Sequence, residues 1–164
     1  MIELYEGVPG SGKSYHAICE KFLPWVKQGR RLYIAVDGIY LDRLSLFTGI
    51  DLETLEQQIT IWKDSVEVLQ AFPHVEPGSA VIIDEAQTVF RSMQKVEPGL
   101  LRWLETHRHY GVDILLMSQD FRQMSQGVTR LIEATVKFRK LAFVGLSKKY
   151  QGKVRGNPED NEVI

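Results

Sequence analysis

The sequence predicts an α/β layer fold with a mostly parallel sheet, and three observations lead there. Short apolar runs alternate with helical patterns along the 164 residues, the signature of strands joined by helical crossovers. The first run, Ile2-Glu3-Leu4-Tyr5, leads into the glycine-rich turn Gly7-Val8-Pro9-Gly10-Ser11-Gly12-Lys13-Ser14. Two later runs end in polar residues: one at Asp84-Glu85, the other at Ser118-Gln119. Parallel sheets bind ligands at the carboxyl ends of their strands. The three polar clusters therefore read as one site.

Each element has a local reason. Apolar residues at 15, 18, 22 and 26 follow helical spacing over residues 16–26. Pro24 inside that pattern is expected to kink or end the helix, with Gly29 as its stop. Residues 31–36, Arg-Leu-Tyr-Ile-Ala-Val, read as a second strand broken by Asp37-Gly38. Short helices follow over 41–47 and 52–58, on either side of Thr48-Gly49. Residues 59–62 are β-prone but few, and 65–72 read as a helix capped by Asp64 or Ser65. After a loop over 73–79, the four apolar residues 80–83 suit a strand buried on both faces. Residues 100–107 read as a helix ending near Gly111, and 113–119 as a second buried strand. A helix over 128–133 precedes β-prone stretches at 135–139 and 141–144. Residues 156–164 are polar and expected to be loose, which leaves 1–155 as a single domain.

Composition narrows the function classes. Hydrophobic residues make up 44% and charged residues 25%, as in an ordinary soluble domain with a real core. A net charge of −1 excludes a chain that is a polyelectrolyte binder as a whole. The balance is local, however. Arg122, Arg130, Lys137, Arg139, Lys140, Lys148, Lys149, Lys153 and Arg155 are set against Glu133 alone. Such a segment is either a solvated basic face or a surface for nucleic acid, anionic lipid or an acidic neighbouring subunit. Cys19 is the only cysteine, so no internal disulfide can form. No apolar run approaches the ~20 residues of a membrane span, and with the first strand at the very start no signal peptide is expected.

The glycine-rich turn matches G-x-x-x-x-G-K-[ST], the phosphate-binding P-loop. Gly7, Gly10 and Gly12 let the backbone curl so that its N–H groups, with those of Pro9's neighbours and Ser11, surround phosphate oxygens. The helix that starts there adds its positive end. Lys13 is placed to reach the β- and γ-phosphates, Ser14 to hold Mg²⁺, and Tyr15 to flank the nucleotide. Asp84, ending an apolar strand, suits the second Mg²⁺ ligand, the Walker B position. Glu85, directly after it, suits the base that orients and deprotonates the attacking water. Gln119 suits a polar sensor on a strand between those of the P-loop and Asp84. These features specify a P-loop NTPase three-layer α/β/α sandwich of the additional-strand, catalytic-glutamate type, with ATP and Mg²⁺ as ligands. Arg108 is the first candidate for the arginine that neutralises the transition state, with Arg122 and Arg130 next. An arginine acting in trans requires a homo-oligomer. His107 and His109 are not expected to share a metal, because positions i and i+2 of a helix face apart. Trp25, Trp62 and Trp103 are expected in the core or at an interface.

The chain resembles the ATPase domain of the zonular occludens toxin family, which includes the gene I assembly proteins of filamentous phages. The resemblance lies in GVPGSGKS near the start, VIIDEAQ at 81–87, THRHYGVDILLMSQD at 106–120 and VTRLIEATVKFRK at 128–140. The third stretch is the most specific. The resemblance implies a motor that powers assembly and export of filamentous phage at the cytoplasmic face of the bacterial inner membrane. Coat or other assembly proteins, and single-stranded phage DNA, are the implied partners. The membrane would be reached only through a segment outside this chain. It also implies phosphate and Mg²⁺ binding by Lys13 and Ser14, metal binding by Asp84, water activation by Glu85 and sensing by Gln119. No toxin activity is carried over. Two other readings stay open from the residues: a P-loop kinase of nucleotides or small molecules, against which Glu85 argues, and a non-catalytic nucleotide switch.

Overall fold

The computed structural model describes residues 1–140 and 150–156. Strand β1 (Ile2–Glu6) opens the chain, followed by β2 (Leu32–Ala35), β3 (Ile59–Ile61), β4 (Ala80–Ile83), β5 (Asp113–Ser118), β6 (Ala134–Lys140) and β7 (Tyr150–Arg155). They form one seven-stranded sheet in the order β3-β2-β4-β5-β1-β6-β7. The first six are mutually parallel, and β7 runs antiparallel along β6.

Parallel pairing buries both faces of the central strands, so they read as apolar runs rather than alternating ones. In β4, Val81 and Ile83 face one core layer while Ala80 and Ile82 face the other. In β5, Ile114 and Leu116 divide from Leu115 and Met117 in the same way. One layer is closed by α1 (Lys13–Ala17), a π-helical turn (Ile18–Phe22), α2 (Leu23–Lys27), α3 (Leu41–Thr48) and α4 (Leu52–Gln58), through Ala17, Phe22, Val26, Leu44 and Leu55. The other is closed by α5 (Ser65–Ala71), α6 (Ala86–Val89) and α7 (Pro98–Thr106), through Val68, Val89, Leu100 and Leu104. α8 (Gln126–Thr129) adds Val128 to that layer. Trp62 is buried there, and Trp103 packs edge-on against Phe72 at 5.3 Å. Trp25 is partly buried in the first layer, under the Arg30 guanidinium.

Local chemistry sets most boundaries. The Asp64 side chain accepts from the backbone N–H of Val66 and Glu67 and caps α5, and Asp51 caps α4 through Thr54. Gly29 and Gly49 end helices at φ 70° and 75°, a left-handed conformation glycine takes without strain. Pro24 does not end the helix, which continues to Lys27 and stops at Gly29 as expected. Directly before α2 the ladder widens to a π-helical turn, in which Leu23 N–H donates to the Ile18 carbonyl, and Pro24 falls in the first turn of α2, where a missing N–H is tolerated. The helix expected over 128–133 is instead the single turn α8, beginning two residues earlier. β7 was not foreseen, since Gly152 and alternating polar residues give it no apolar pattern. The β-prone stretch 141–144 and the tail 157–164 lie outside the described residues.

Candidate nucleotide site

The order of the sheet builds the site. β5 lies between β1 and β4, so the strand that leads to Gln119 separates the strand before the glycine-rich loop from the strand that leads to Asp84. Glu6 is level with Ser118 and Ile83 with Leu116, which brings residues 7, 84 and 119 to the same edge. Two backbone bonds tie that edge together. Gly7 N–H donates to the Ser118 carbonyl at 3.1 Å, and Asp84 N–H to the Ala35 carbonyl at 2.8 Å.

The loop turns at Gly10 and Gly12, with φ 70° and 96°, and Pro9 and Gly10 form its exposed tip. Ser11 is fully buried beneath it, its N–H donating to the Val8 carbonyl at 3.1 Å. Lys13 is buried and folds back across the loop, its Nζ donating to the Gly7 carbonyl at 2.6 Å. Gly7 admits no side chain: a Cβ there would lie 2.6 Å from the Phe138 carbonyl and 2.7 Å from Ser11 Oγ. Tyr15 is 65% exposed on the outer side of α1.

Ser14 Oγ donates to Asp84 Oδ2 at 3.1 Å. Two hard oxygen ligands thus converge beside the loop, the donor chemistry that suits Mg²⁺. The other Asp84 oxygen accepts from Glu85 N–H at 2.8 Å. Glu85 has φ 48° and ψ 44°, and among the described residues it is the only non-glycine at positive φ. Its carboxylate meets Gln119, whose Nε2 lies 3.2 Å from Oε2 and 3.5 Å from Oε1. Gln87 Nε2 also donates to Oε2. Gln87 was missed by sequence reading, although it stands in the VIIDEAQ stretch two residues after Glu85. Only folding shows that the first turn of α6 returns its amide to the carboxylate.

On the β6 side, a cleft of about 290 Å³ is lined by Gly7, Gln119, Lys137 and Arg139 among others. On the β2 side, one of about 300 Å³ opens onto Asp84, Glu85 and Asp37. Part of the basic segment is neutralised in place. Lys137 Nζ pairs with Glu6 Oε2 at 3.0 Å, and Arg122 with Asp120 at 2.7 Å. The Arg122 hydrogen bond holds the Asp120 carboxyl below the usual carboxylate range.

Arg108 is not brought to this cluster. It lies in a 3₁₀ turn (His107–Tyr110) that precedes β5, at the opposite edge of the sheet, where it pairs with Glu133. Glu133 also accepts from Ile2 N–H at 3.1 Å, so the pair fastens the start of β1. His107 is buried, its Nδ1 2.6 Å from the Leu104 carbonyl, while His109 is exposed. Among the described residues no group of three or more His, Cys, Asp or Glu is placed to hold a metal.

The family model described as Zonular occludens toxin (Zot) matches residues 1–162. The chain belongs to the Zot family. It is 27% identical over 164 residues to the gene 1 protein of Xanthomonas phage phiLf, covering 92% of this chain and 37% of that one. To the putative assembly protein ORF301 of Pseudomonas phage Pf3 it is 31% identical over 126 residues, covering 73% and 36%. The chain therefore spans well under half the length of these Zot-family relatives. Its fold is similar to that of the N-terminal domain of zonular occludens toxin from Neisseria meningitidis, with a TM-score of 0.57, 20% identity and coverage of 97% of this chain and 95% of that one. It is also similar to the genome packaging NTPase B204 of Sulfolobus turreted icosahedral virus 2, solved in complex with ATP-gammaS, with a TM-score of 0.59, 21% identity and coverage of 90% and 80%. The P-loop NTPase fold expected for this Zot-family chain is the fold observed. No helix among the described residues is long and apolar enough to cross a membrane.

Proposed function

We propose that the chain is an ATP-hydrolysing motor domain that powers filamentous phage assembly and export at the bacterial inner membrane. The observation that carries hydrolysis is the side-by-side placement of the Ser14–Asp84 pair and the Glu85–Gln119 pair at the end of β5. Family membership and a relative named as a putative assembly protein support the cellular role.

In this reading the loop backbone and Lys13 hold the β- and γ-phosphates, Lys13 exchanging the Gly7 carbonyl for phosphate oxygens. Ser14 and Asp84 would hold Mg²⁺, which would supply positive charge to the phosphate oxygens. Glu85 takes a proton from the attacking water, and Gln119 fixes the carboxylate that does so. A kinase would be poorly served by a carboxylate that activates water, since it would spend ATP on water. Arg108 could reach a phosphate only in a neighbouring subunit, given its place at the far edge of the sheet. Coat or assembly proteins and single-stranded phage DNA are the partners this role requires, and they would be engaged by the longer protein.

The test is Mg²⁺-dependent phosphate release from ATP, measured against protein concentration with Glu85→Gln alongside. The expected result is release without any added acceptor, with a rate per chain that rises with concentration and a loss in Glu85→Gln. Strict dependence on an added acceptor would favour a kinase. ATP binding with no release at any concentration would leave a switch as the better reading.

A further inference from the structure

We infer that Gln87 is a positioning residue that gives the two oxygens of Glu85 different tasks; the inference rests on the hydrolytic reading above. Oε2 receives two amide donors, Gln87 Nε2 from α6 and Gln119 Nε2 from the end of β5 at 3.2 Å. Among the described residues Oε1 receives only the longer 3.5 Å contact with Gln119. One oxygen is thus saturated and the other keeps its capacity to accept.

Gln87 itself shows what it is for. Its own Oε1 is buried and, among the described residues, accepts no hydrogen bond. A glutamine kept for packing would satisfy both ends of its amide, because a buried acceptor without a donor is costly. Here only the end that faces Glu85 is satisfied. The orientation follows from charge, since turning the amide over would set its oxygen against a carboxylate. The positive φ of Glu85 is the backbone counterpart, carrying the side chain across to the end of β5, where both amides meet it.

The consequence is a defined proton path. The water oxygen forms a bond to the γ-phosphorus while one of its protons passes to Glu85 Oε1. The bond from the γ-phosphorus to the β,γ-bridging oxygen breaks, and its electron pair leaves with ADP. The proton on Oε1 then passes to solvent, restoring the carboxylate. Without Gln87 the carboxylate can rotate and offer water the wrong geometry, which lowers turnover without loosening ATP.

The test is a double-mutant cycle in single-turnover ATP hydrolysis, with protein in excess over nucleotide so that slow release is visible. Gln87→Met keeps side-chain length and removes the donor. Gln87→Glu keeps the shape and replaces the donor with an acceptor, which covers the case in which Gln87→Met misfolds. Each is expected to lower the hydrolysis rate about tenfold to a hundredfold, as loss of a supporting hydrogen bond to an active-site group does, with ATP affinity unchanged. In a Glu85→Gln background neither is expected to lower the residual rate further. Equal losses in both backgrounds, or Glu85-dependent hydrolysis indifferent to Gln87, would overturn the inference and leave the hydrolytic reading standing. No hydrolysis by the unmutated chain would overturn both.

Discussion

Ser14 and Asp84, 70 positions apart in sequence, meet with Oγ 3.1 Å from Oδ2. The contact spans a whole strand, because β5 separates β1 from β4. It exists only because the P-loop overhangs β5 and Asp84 extends one residue past the end of β4. On the proposed reading both oxygens hold one Mg²⁺, so Ser14→Ala and Asp84→Asn are each expected to cut Mg²⁺-stimulated hydrolysis by about a hundredfold or more. The double variant should be little worse than either alone. ATP affinity measured calorimetrically with and without Mg²⁺ checks this: both variants should lose the Mg²⁺-dependent part and keep the rest.

Gly7→Ala is expected to destabilise the domain by about 1–3 kcal/mol, the usual cost of overpacking. The added Cβ would meet the Phe138 carbonyl, which is backbone of β6 and cannot rotate away. Relief requires β6 to part from β1 beside the phosphate loop. The variant should therefore show a lower urea midpoint and weaker ATP binding together. A lower midpoint with intact ATP affinity would mean that the loop does not depend on β6.

Glu85 occupies a left-handed conformation that costs a residue with a Cβ about 1 kcal/mol relative to glycine. Glu85→Gly is thus expected to be more stable than Glu85→Ala by about that amount. Both should be equally inactive in phosphate release. Equal stabilities in chemical denaturation would show that the backbone relaxes once the carboxylate is gone.

His107 links stability to pH. Burial holds its imidazole below the ordinary value of about 6.5, against the opposing pull of the Leu104 carbonyl and Glu133, while the N-terminal ammonium and Arg108 add to the lowering. Between the folded and unfolded values the unfolded chain carries a proton that the folded chain lacks. The stability due to the neutral ring is therefore complete above about pH 6.5 and is lost as pH falls from there toward the folded value. His107→Gln should flatten the decline in urea midpoint between about pH 6.5 and pH 5. The Glu133 carboxyl, though raised by burial, is held low overall by Arg108 and Ile2 N–H. Its contribution persists to lower pH and should be unaffected by the substitution.

Much of this architecture was legible because its causes are local. Four consecutive apolar residues at 80–83 cannot be an amphipathic helix or a one-sided strand, so they become the doubly buried β4. The glycines of the phosphate loop and the caps Asp51 and Asp64 act on their own neighbours. Whether Pro24 would end its helix was not legible, because that depends on the ladder of the preceding turn, which a π-helical segment rearranges. β7 left no sign because an edge strand paired on one side needs no continuous apolar pattern.

By itself the sequence determined the chemical types at the site and the strand ends that carry them, since P-loop, acid pair and glutamine each sit where an apolar run stops. The tertiary structure alone decided their arrangement. It set β5 between β1 and β4, and so joined Ser14 to Asp84 and Glu85 to Gln119. It returned Gln87 to Glu85, and it sent Arg108 to the opposite edge with Glu133. Strand order and register are fixed by packing between segments far apart in the chain, and spacing along the sequence carries no record of which neighbour a strand will choose.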